Sequence, residues 1–365
     1  MASVPTIRNQ PMLGGSPSPR RPRPPARLLG VAVVSASLLT LVACGSGSDE
    51  VADAPGTTAS ATVADQSPGC DVPAGPALTP SVHTDLSITS SGTERTYKRY
   101  VPASYDGTPM PLVVDLHGYL SGAAGQAAIS ALGAFAEGEG FVVVTPQGNS
   151  DLPYWNAVPH DDLPNDVQLV ADVIDEVTAS LCIDPARIFV DGFSNGAFLT
   201  SLVACELSDT VAAVSAVSGL LFPEGCAPAR PMPVLAIHGT ADLLVTFDGS
   251  PNVGLETLDW NEQSTRAFDG LAFVPVTTSL ASWAEVAGCD PTPTDSEISA
   301  TVTRTAYAAC QGGADVELYA VEGGGHAWPG SELSKASESI LGPTTFDIVA
   351  NEVIWQFFTD HPMPG

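Results

Sequence analysis

Ile188-Phe189-Val190-Asp191-Gly192-Phe193-Ser194-Asn195-Gly196 is the stretch on which the fold turns. Ile188-Phe189-Val190 is a short apolar run of the kind that makes a buried strand, and it leads directly into Gly192. From Asn195 to Ala204 the pattern continues as a helix. Two glycines around a serine are a modest signal in a chain with 34 glycines, and a helix-capping serine in a glycine-rich turn has the same letters. The context gives the motif its meaning. Between a strand and a helix, glycine permits the sharp turn that lifts a serine hydroxyl above the sheet edge.

Outward from this turn, apolar runs alternate with helical patterns. Arg95 to Val101, Pro111 to Leu116, Phe141 to Val144, Ala212 to Val217, Val234 to Ile237 and Val316 to Val321 read as strands. Ala123 to Glu137, Asp166 to Leu181 and Thr345 to Phe358 read as helices, the second on the spacing of Val167, Val170, Val173, Ile174 and Val177. This rhythm is that of an α/β domain with a mostly parallel sheet flanked by helices. Leu243 to Val276 has little periodicity, many turn formers and the scattered rings of Phe247, Trp260, Phe268 and Phe273. A loop of that length is either a lid or substrate rim, or an irregular crossover.

Ester hydrolysis requires a nucleophile, a base to take its proton, and donors for the oxyanion. With Ser194 as nucleophile, the chain order for a strand-turn-helix serine is serine, acid, histidine. His83, His117 and His160 precede Ser194 and are set aside. Of the remaining three, His326 stands in the loop Gly323-Gly324-Gly325-His326-Ala327-Trp328-Pro329-Gly330, directly after a strand, and is the candidate base. His361 lies beyond the last helix and suits the surface. His238 precedes the candidate acid and shapes its turn. That acid is Asp242, just past the strand end in Ile237-His238-Gly239-Thr240-Ala241-Asp242, with Asp248 as second choice. The oxyanion donors are the backbone N–H of Asn195 and one from the loop Leu116-His117-Gly118-Tyr119, with Tyr119 first and Gly118 second. Trp155 and Trp328 are candidates for an aromatic substrate pocket, or for core packing. His160-Asp161-Asp162 reads as a solvated loop, and no cysteine or histidine cluster has zinc spacing, so neither metal nor cofactor is expected.

Taken together, these pieces resemble the family of secreted esterases that includes polyhydroxybutyrate depolymerases and feruloyl esterases. The matching segments are Asp115-Leu116-His117-Gly118, Thr145-Pro146-Gln147-Gly148 followed by Trp155-Asn156, Asn165-Asp166-Val167, Gly192-Phe193-Ser194-Asn195-Gly196, His238-Gly239-Thr240-Ala241-Asp242, and Gly324-Gly325-His326 with Trp328-Pro329-Gly330. They run from about Thr84 to Phe358. The resemblance implies the α/β-hydrolase fold and a Ser194, Asp242 and His326 triad that hydrolyses carboxylic esters through an acyl-enzyme. The chain departs from the family in having Ala197 where a second glycine is common after Ser-Asn-Gly, and Tyr119-Leu120-Ser121 where the loop is usually richer in glycine. Those positions bear on the acyl pocket, so a polyhydroxyalkanoate, a feruloyl ester and an acetylated polysaccharide all stay open as substrates. An acyltransferase passing the acyl group to a cell-envelope sugar would share the same first step. A non-catalytic ligand-binding lipoprotein would not be expected to keep a complete triad.

The chain has 365 residues, 44% hydrophobic, with 13 Lys and Arg against 41 Asp and Glu. Residues 1–43 hold Arg8, Arg20, Arg21, Arg23 and Arg27 and no acidic residue, so the remainder carries a net charge of −33. Such a surface repels nucleic acid and anionic lipid headgroups. Leu28 to Ala43 is a 16-residue apolar stretch behind basic residues, a signal-peptide layout too short for a comfortable membrane span. Leu41-Val42-Ala43-Cys44 resembles a bacterial lipobox, which makes Cys44 the lipidated terminus and the lipid the one membrane contact. Ordinary cleavage nearby and a signal anchor are the other readings. Residues 44–69 read as a disordered tether, and 70–365 as a single, monomeric domain. Without Cys44, six cysteines remain. Of fifteen connectivities, local spacing favours Cys205 with Cys226 and Cys289 with Cys310, leaving Cys70 with Cys182.

Overall fold

The computed structural model describes residues 66–72, 78–148, 152–251, 254 and 258–364. The fold below is that of the unit Ser60–Gly365. The expected signal peptide, Cys44 and the expected tether up to residue 65 lie outside the described residues. The packed chain begins ahead of Cys70: Ser67 is buried, and its hydroxyl donates to Leu181 O (3.1 Å) while accepting from Ile183 N–H (2.9 Å).

Ten strands among the described residues form one sheet. In chain order they are β1 (Thr84–Ser90), β2 (Thr93–Tyr100), β3 (Met110–Leu116), β4 (Val142–Pro146), β5 (Ile183–Phe193), β6 (Ala213–Val217), β7 (Val234–Gly239), β8 (Thr294–Ser299), β9 (Val302–Tyr307) and β10 (Val316–Val321). Across the sheet the order is β1-β2-β4-β3-β5-β6-β7-β10-β9-β8. The six strands from β4 to β10 run parallel, and the β1–β2 and β8–β9 hairpins close the two edges antiparallel. β3 and β4 are buried along their whole length, as central parallel strands covered on both faces must be. β1 alternates between half-buried and exposed, the pattern of an edge with one wet face.

Helices cover both faces. They are α1 (Gly122–Ser130), α2 (Leu132–Glu139), α3 (Asp166–Ser180), α4 (Asn195–Glu206), α5 (Glu262–Ala267), α6 (Val276–Val286), α7 (Glu332–Ala336), α8 (Glu338–Leu341) and α9 (Ala350–Asp360). On one face α3, α4 and α6 pack with Leu112, Val114, Val190, Val214 and Ala236. On the other, α2 and α9 pack with Val113, Phe189, Val217 and Leu235, and the Phe189 and Phe358 rings stack at 4.6 Å. α3 begins where Asn165 caps it, its side-chain oxygen accepting from Gln168 N–H (3.0 Å). This three-layer arrangement is the α/β-hydrolase fold.

Three element readings change. The helix expected over 123–137 is two helices, broken at Ala131, whose φ is 48°. The last helix starts at Ala350 instead of Thr345, because Thr345 O accepts from Gly330 N–H and the Asp347 carboxylate accepts from the Ser299 and Thr301 hydroxyls, holding residues 345–347 as a tie to the β8–β9 turn. The third is that the sequence reading assigns no element to the β8–β9 hairpin or to α6, although Val276, Leu280, Trp283 and Ala284 are spaced as one helix face. The cysteines pair as Cys70–Cys182, Cys205–Cys226 and Cys289–Cys310. No helix among the described residues is long and apolar enough to cross a membrane.

Candidate active site

The strand order reverses at β3: the chain goes outward to β4 and then returns to β3's other side as β5. Loops that leave neighbouring strands on either side of such a reversal open a crevice at their carboxyl ends. Leu116 and Gly192 are paired in register, so the loop after β3 and the turn after β5 emerge side by side. Phe193 pairs with Val217, Val217 with Ile237, and Gly239 with Val321. The loops bearing Tyr119, Ser194, Asp242 and His326 therefore leave the same edge of the sheet.

Ser194 is the hinge between β5 and α4, with φ 56° and ψ −119°. That conformation is costly for a residue with a side chain and persists only where the surroundings hold it. Here Ser194 N–H donates to Val217 O (2.9 Å) and Ser194 O accepts from Phe198 N–H (3.1 Å). The flanking glycines are needed for clearance: a Cβ on Gly196 would stand 2.2 Å from Leu116 O, and one on Gly192 would stand 2.5 Å from Gly196 O. Ser194 is left half-buried at the mouth of a cavity.

His326 and Asp242 meet across the loops after β10 and β7. His326 Nδ1–H donates to Asp242 Oδ2 at 2.7 Å, and both residues are buried. Leu244 N–H (2.8 Å) and Val245 N–H (2.9 Å) donate to Asp242 Oδ1. Burial alone pushes the Asp242 carboxyl up, but the His326 and His238 rings outweigh it and hold the group well below the ordinary carboxylate range. An ionised carboxylate on Nδ1–H fixes the ring's orientation and leaves Nε2 to accept a proton. Asp248, the second choice for the acid, is exposed and turned to Ser250 N–H (3.0 Å). His361 is buried, bonded to Phe357 O (2.7 Å) and Asp315 (3.0 Å).

The loop after β3 abuts the nucleophile, since a Cβ on Gly118 would stand 3.3 Å from Ser194 Cβ. It is braced from below. His117 is fully buried, its Nδ1–H donating to Gly118 O (2.8 Å) and its Nε2 accepting from Gly148 N–H (2.8 Å). Burial pushes this imidazole down to about 4, so it serves as a fixed, uncharged strut. The bonds that fix the loop, Leu120 N–H to Pro153 O and Ser121 N–H to Gly118 O, do not use the Tyr119 amide. Asn195 opens α4, where first-turn amides have no partner within the helix.

Trp155 belongs to this brace and not to a substrate pocket. It is fully buried, its indole N–H donates to His117 O (2.7 Å), and its own amide donates to the Asn195 side chain (2.7 Å). Asp166 accepts from Asn156 N–H (2.8 Å) and from Arg95 (2.9 Å), tying the same segment to β2. Trp328 is also buried, with its indole N–H on the Asn351 side chain (2.9 Å).

The cavity beside Ser194 and His326 has a volume of about 220 Å³ and is walled by Ile129, Phe198, Leu244, Val245, Leu258, Phe268, Phe273 and Leu341. Most of these residues come from the described part of the segment 243–276, which includes the short helix α5, capped by Asn261 (2.7 Å to Ser264 N–H). Tyr119 anchors this segment, stacking on Trp260 at 4.8 Å and bonding Asp259 O. A larger cleft of about 560 Å³ lies between α9 and the start of β10, at the opposite end of the strands. Among the described residues, no group of three or more His, Cys, Asp or Glu has the geometry of a metal site.

Residues 95–254 match the family described as Esterase PHB depolymerase, a span that includes Ser194 and Asp242. Feruloyl esterase B of Piromyces equi is 29% identical over 234 residues, covering 62% of this chain and 41% of that protein. The putative esterase NocK of Nocardia uniformis subsp. tsuyamanensis is 29% identical over 264 residues, covering 68% of this chain and 74% of that one. An acetyl xylan esterase from Aspergillus awamori, a solved structure, superposes with a TM-score of 0.49 at 17% identity, covering 70% of this chain and 98% of that one. The match across residues 95–254, under half of the chain, makes it similar to the esterase PHB depolymerase family.

Proposed function

We propose that this chain is a serine carboxylic-ester hydrolase, exported and held by lipid on Cys44 at the outer face of a membrane. Ser194 Oγ attacks the ester carbonyl as its proton passes to His326 Nε2. The amides of Asn195 and Tyr119 take the oxyanion, and Asp242 stabilises the imidazolium. As the tetrahedral intermediate collapses, His326 returns the proton to the departing alkoxide, leaving the acyl group on Ser194. A water, deprotonated by His326, then releases the acid and regenerates the serine.

The observation that carries this reading is the 2.7 Å bond between His326 and Asp242 at the rim of the cavity that also holds Ser194. The cavity's apolar wall favours an uncharged acyl group. The relatives' names, a feruloyl esterase and an acetyl xylan esterase, point to phenolic or acetyl esters of polysaccharide, and the family name to hydroxyalkanoate esters. Export is supported by the three disulfides, which persist in oxidising compartments.

Replacement of Ser194 by Ala tests the assignment. Hydrolysis of p-nitrophenyl acetate should fall by about 10⁴-fold or more with thermal unfolding unchanged. A folded Ser194→Ala protein that turns over at the wild-type rate would reject it. Rates on methyl ferulate, acetylated xylan and hydroxybutyrate oligomers then choose the substrate.

A further inference from the structure

His238 sits next to last on β7, 1% exposed, and no step of the reaction above uses it. Its Nε2 lies 2.8 Å from Val245 O and 3.4 Å from Asp242 Oδ2. A carbonyl can only accept, so the ring hydrogen is on Nε2. The other nitrogen, Nδ1, is buried and has no partner among the described residues, so a second ring hydrogen would have no acceptor there. The Phe247 ring meets the imidazole edge-on at 5.8 Å. Asp242 Oδ2 thus faces two imidazoles at once, His326 at 2.7 Å and His238 at 3.4 Å. The backbone that accepts from His238 belongs to Val245, a residue of the cavity wall.

We propose that His238 is a positioning residue of the Ser194 site: one N–H, directed at Val245 O with Asp242 Oδ2 beside it, sets the carboxylate that aligns His326 and the adjoining cavity wall together. The inference rests on the esterase reading above. Its chemistry is electrostatic as well as geometric. Each donor on a carboxylate withdraws charge from its oxygens. Removing the donor at His238 leaves more charge on Oδ2 for His326, which strengthens its hold on the imidazolium while loosening the carboxylate's orientation. Other ionisable groups of these loops include Glu322, whose carboxylate accepts from the Thr240 hydroxyl at the surface (3.3 Å), and exposed Asp248, turned to Ser250. Neither is bonded to Asp242.

His238→Gln and His238→Asn separate the roles, because a glutamine amide N–H reaches the position of imidazole Nε2 and an asparagine amide does not. With p-nitrophenyl acetate, the Gln variant should keep kcat within about threefold of wild type, with the acid limb of its kcat/KM profile in place. The Asn variant should lose about tenfold in kcat with KM changed less than about twofold, and its acid limb should move to higher pH. A merely structural role would lower activity at all pH without moving the limb. Thermal unfolding of each variant is measured alongside. If the Asn variant does not fold, the Gln variant decides alone: folded and active with the limb in place, it supports the role, while loss of either fold or kcat overturns it. An Asn variant with the wild-type rate and pH profile also overturns it. Ser194→Ala, assayed in parallel, keeps the two claims apart, since activity surviving there rejects the esterase reading and this inference with it.

Discussion

His326 Nδ1 donates to Asp242 Oδ2 across 84 positions of sequence, because Gly239 and Val321 are register partners and the loops that follow them leave the sheet together. Three further donors reach that carboxylate or lie beside it, the amides of Leu244 and Val245 and the ring of His238. Asp242→Asn would present an amide where His326 needs an acceptor. We expect kcat to fall by about 10³–10⁴-fold, with KM changed little, as the ring turns to the wrong tautomer. A Michaelis–Menten comparison on p-nitrophenyl acetate checks this, and a loss confined to KM would contradict it.

Glycine at 196 is demanded by Leu116 O, which would stand 2.2 Å from an added Cβ. Gly196→Ala should therefore push α4 away from β3, destabilising the fold by about 1–3 kcal/mol. It should also move the Asn195 amide, lowering kcat. A melting temperature equal to wild type would show that the turn has slack the close contact does not suggest.

Phe268 lines the cavity and Trp155 does not. Phe268→Ala should raise KM for bulky acyl esters more than for acetyl esters. Trp155→Phe removes the N–H on His117 O, so it should lower kcat and stability with KM nearly unchanged. Opposite assignments of the KM effect would return Trp155 to the pocket.

Asp115 and Asp191 face each other in register on β3 and β5, fully buried, with Asp191 lacking any partner among the described residues. Burial, and then the charge of Asp115, push the Asp191 carboxyl well above the ordinary range. The unfolded chain ionises first, so stability from this pair is complete below about pH 4 and is lost as pH rises through the folded value. Asp191→Asn should thus melt higher than wild type at pH 8 by a few degrees, about 1–2 kcal/mol, and the gap should close toward pH 4. Asp242 has the opposite sign: its contribution is complete above about pH 4 and is lost on acidification. Melting curves from about pH 2 to pH 8 on Asp191→Asn and Asp242→Asn test the two directions.

The parts of the fold most legible in the sequence were those where burial forces a pattern. β3, β4, β6, β7 and β10 are apolar runs because they are central strands, and α3 shows its period because only one side is covered. β8 was not legible: Thr-Asp-Ser-Glu-Ile-Ser is an edge strand whose faces are largely wet, so neither side imposes alternation. The break at Ala131 was hidden because alanine is the best helix former and the kink is imposed from outside, with Ser130 bound to Asp115 (2.8 Å). At the site, Ser194, Asp242 and His326 could be proposed from the strand-turn-helix setting, chain order and loop position, and the structure brings the last two into contact. The tryptophans misled because an indole flanked by glycine or asparagine looks the same whether it stacks on a ligand or anchors a turn. What marked the real wall was the run of rings in Leu243 to Val276, a segment with no period of its own.

The central claim is that Ser194 is the nucleophile, and covalent capture tests it most directly. Incubation with a fluorophosphonate, followed by intact mass and peptide mapping, should show one adduct per chain, on the peptide containing Ser194, formed more slowly in Asp242→Asn and absent in Ser194→Ala. An adduct at any other residue, or undiminished labelling of Ser194→Ala, would contradict it.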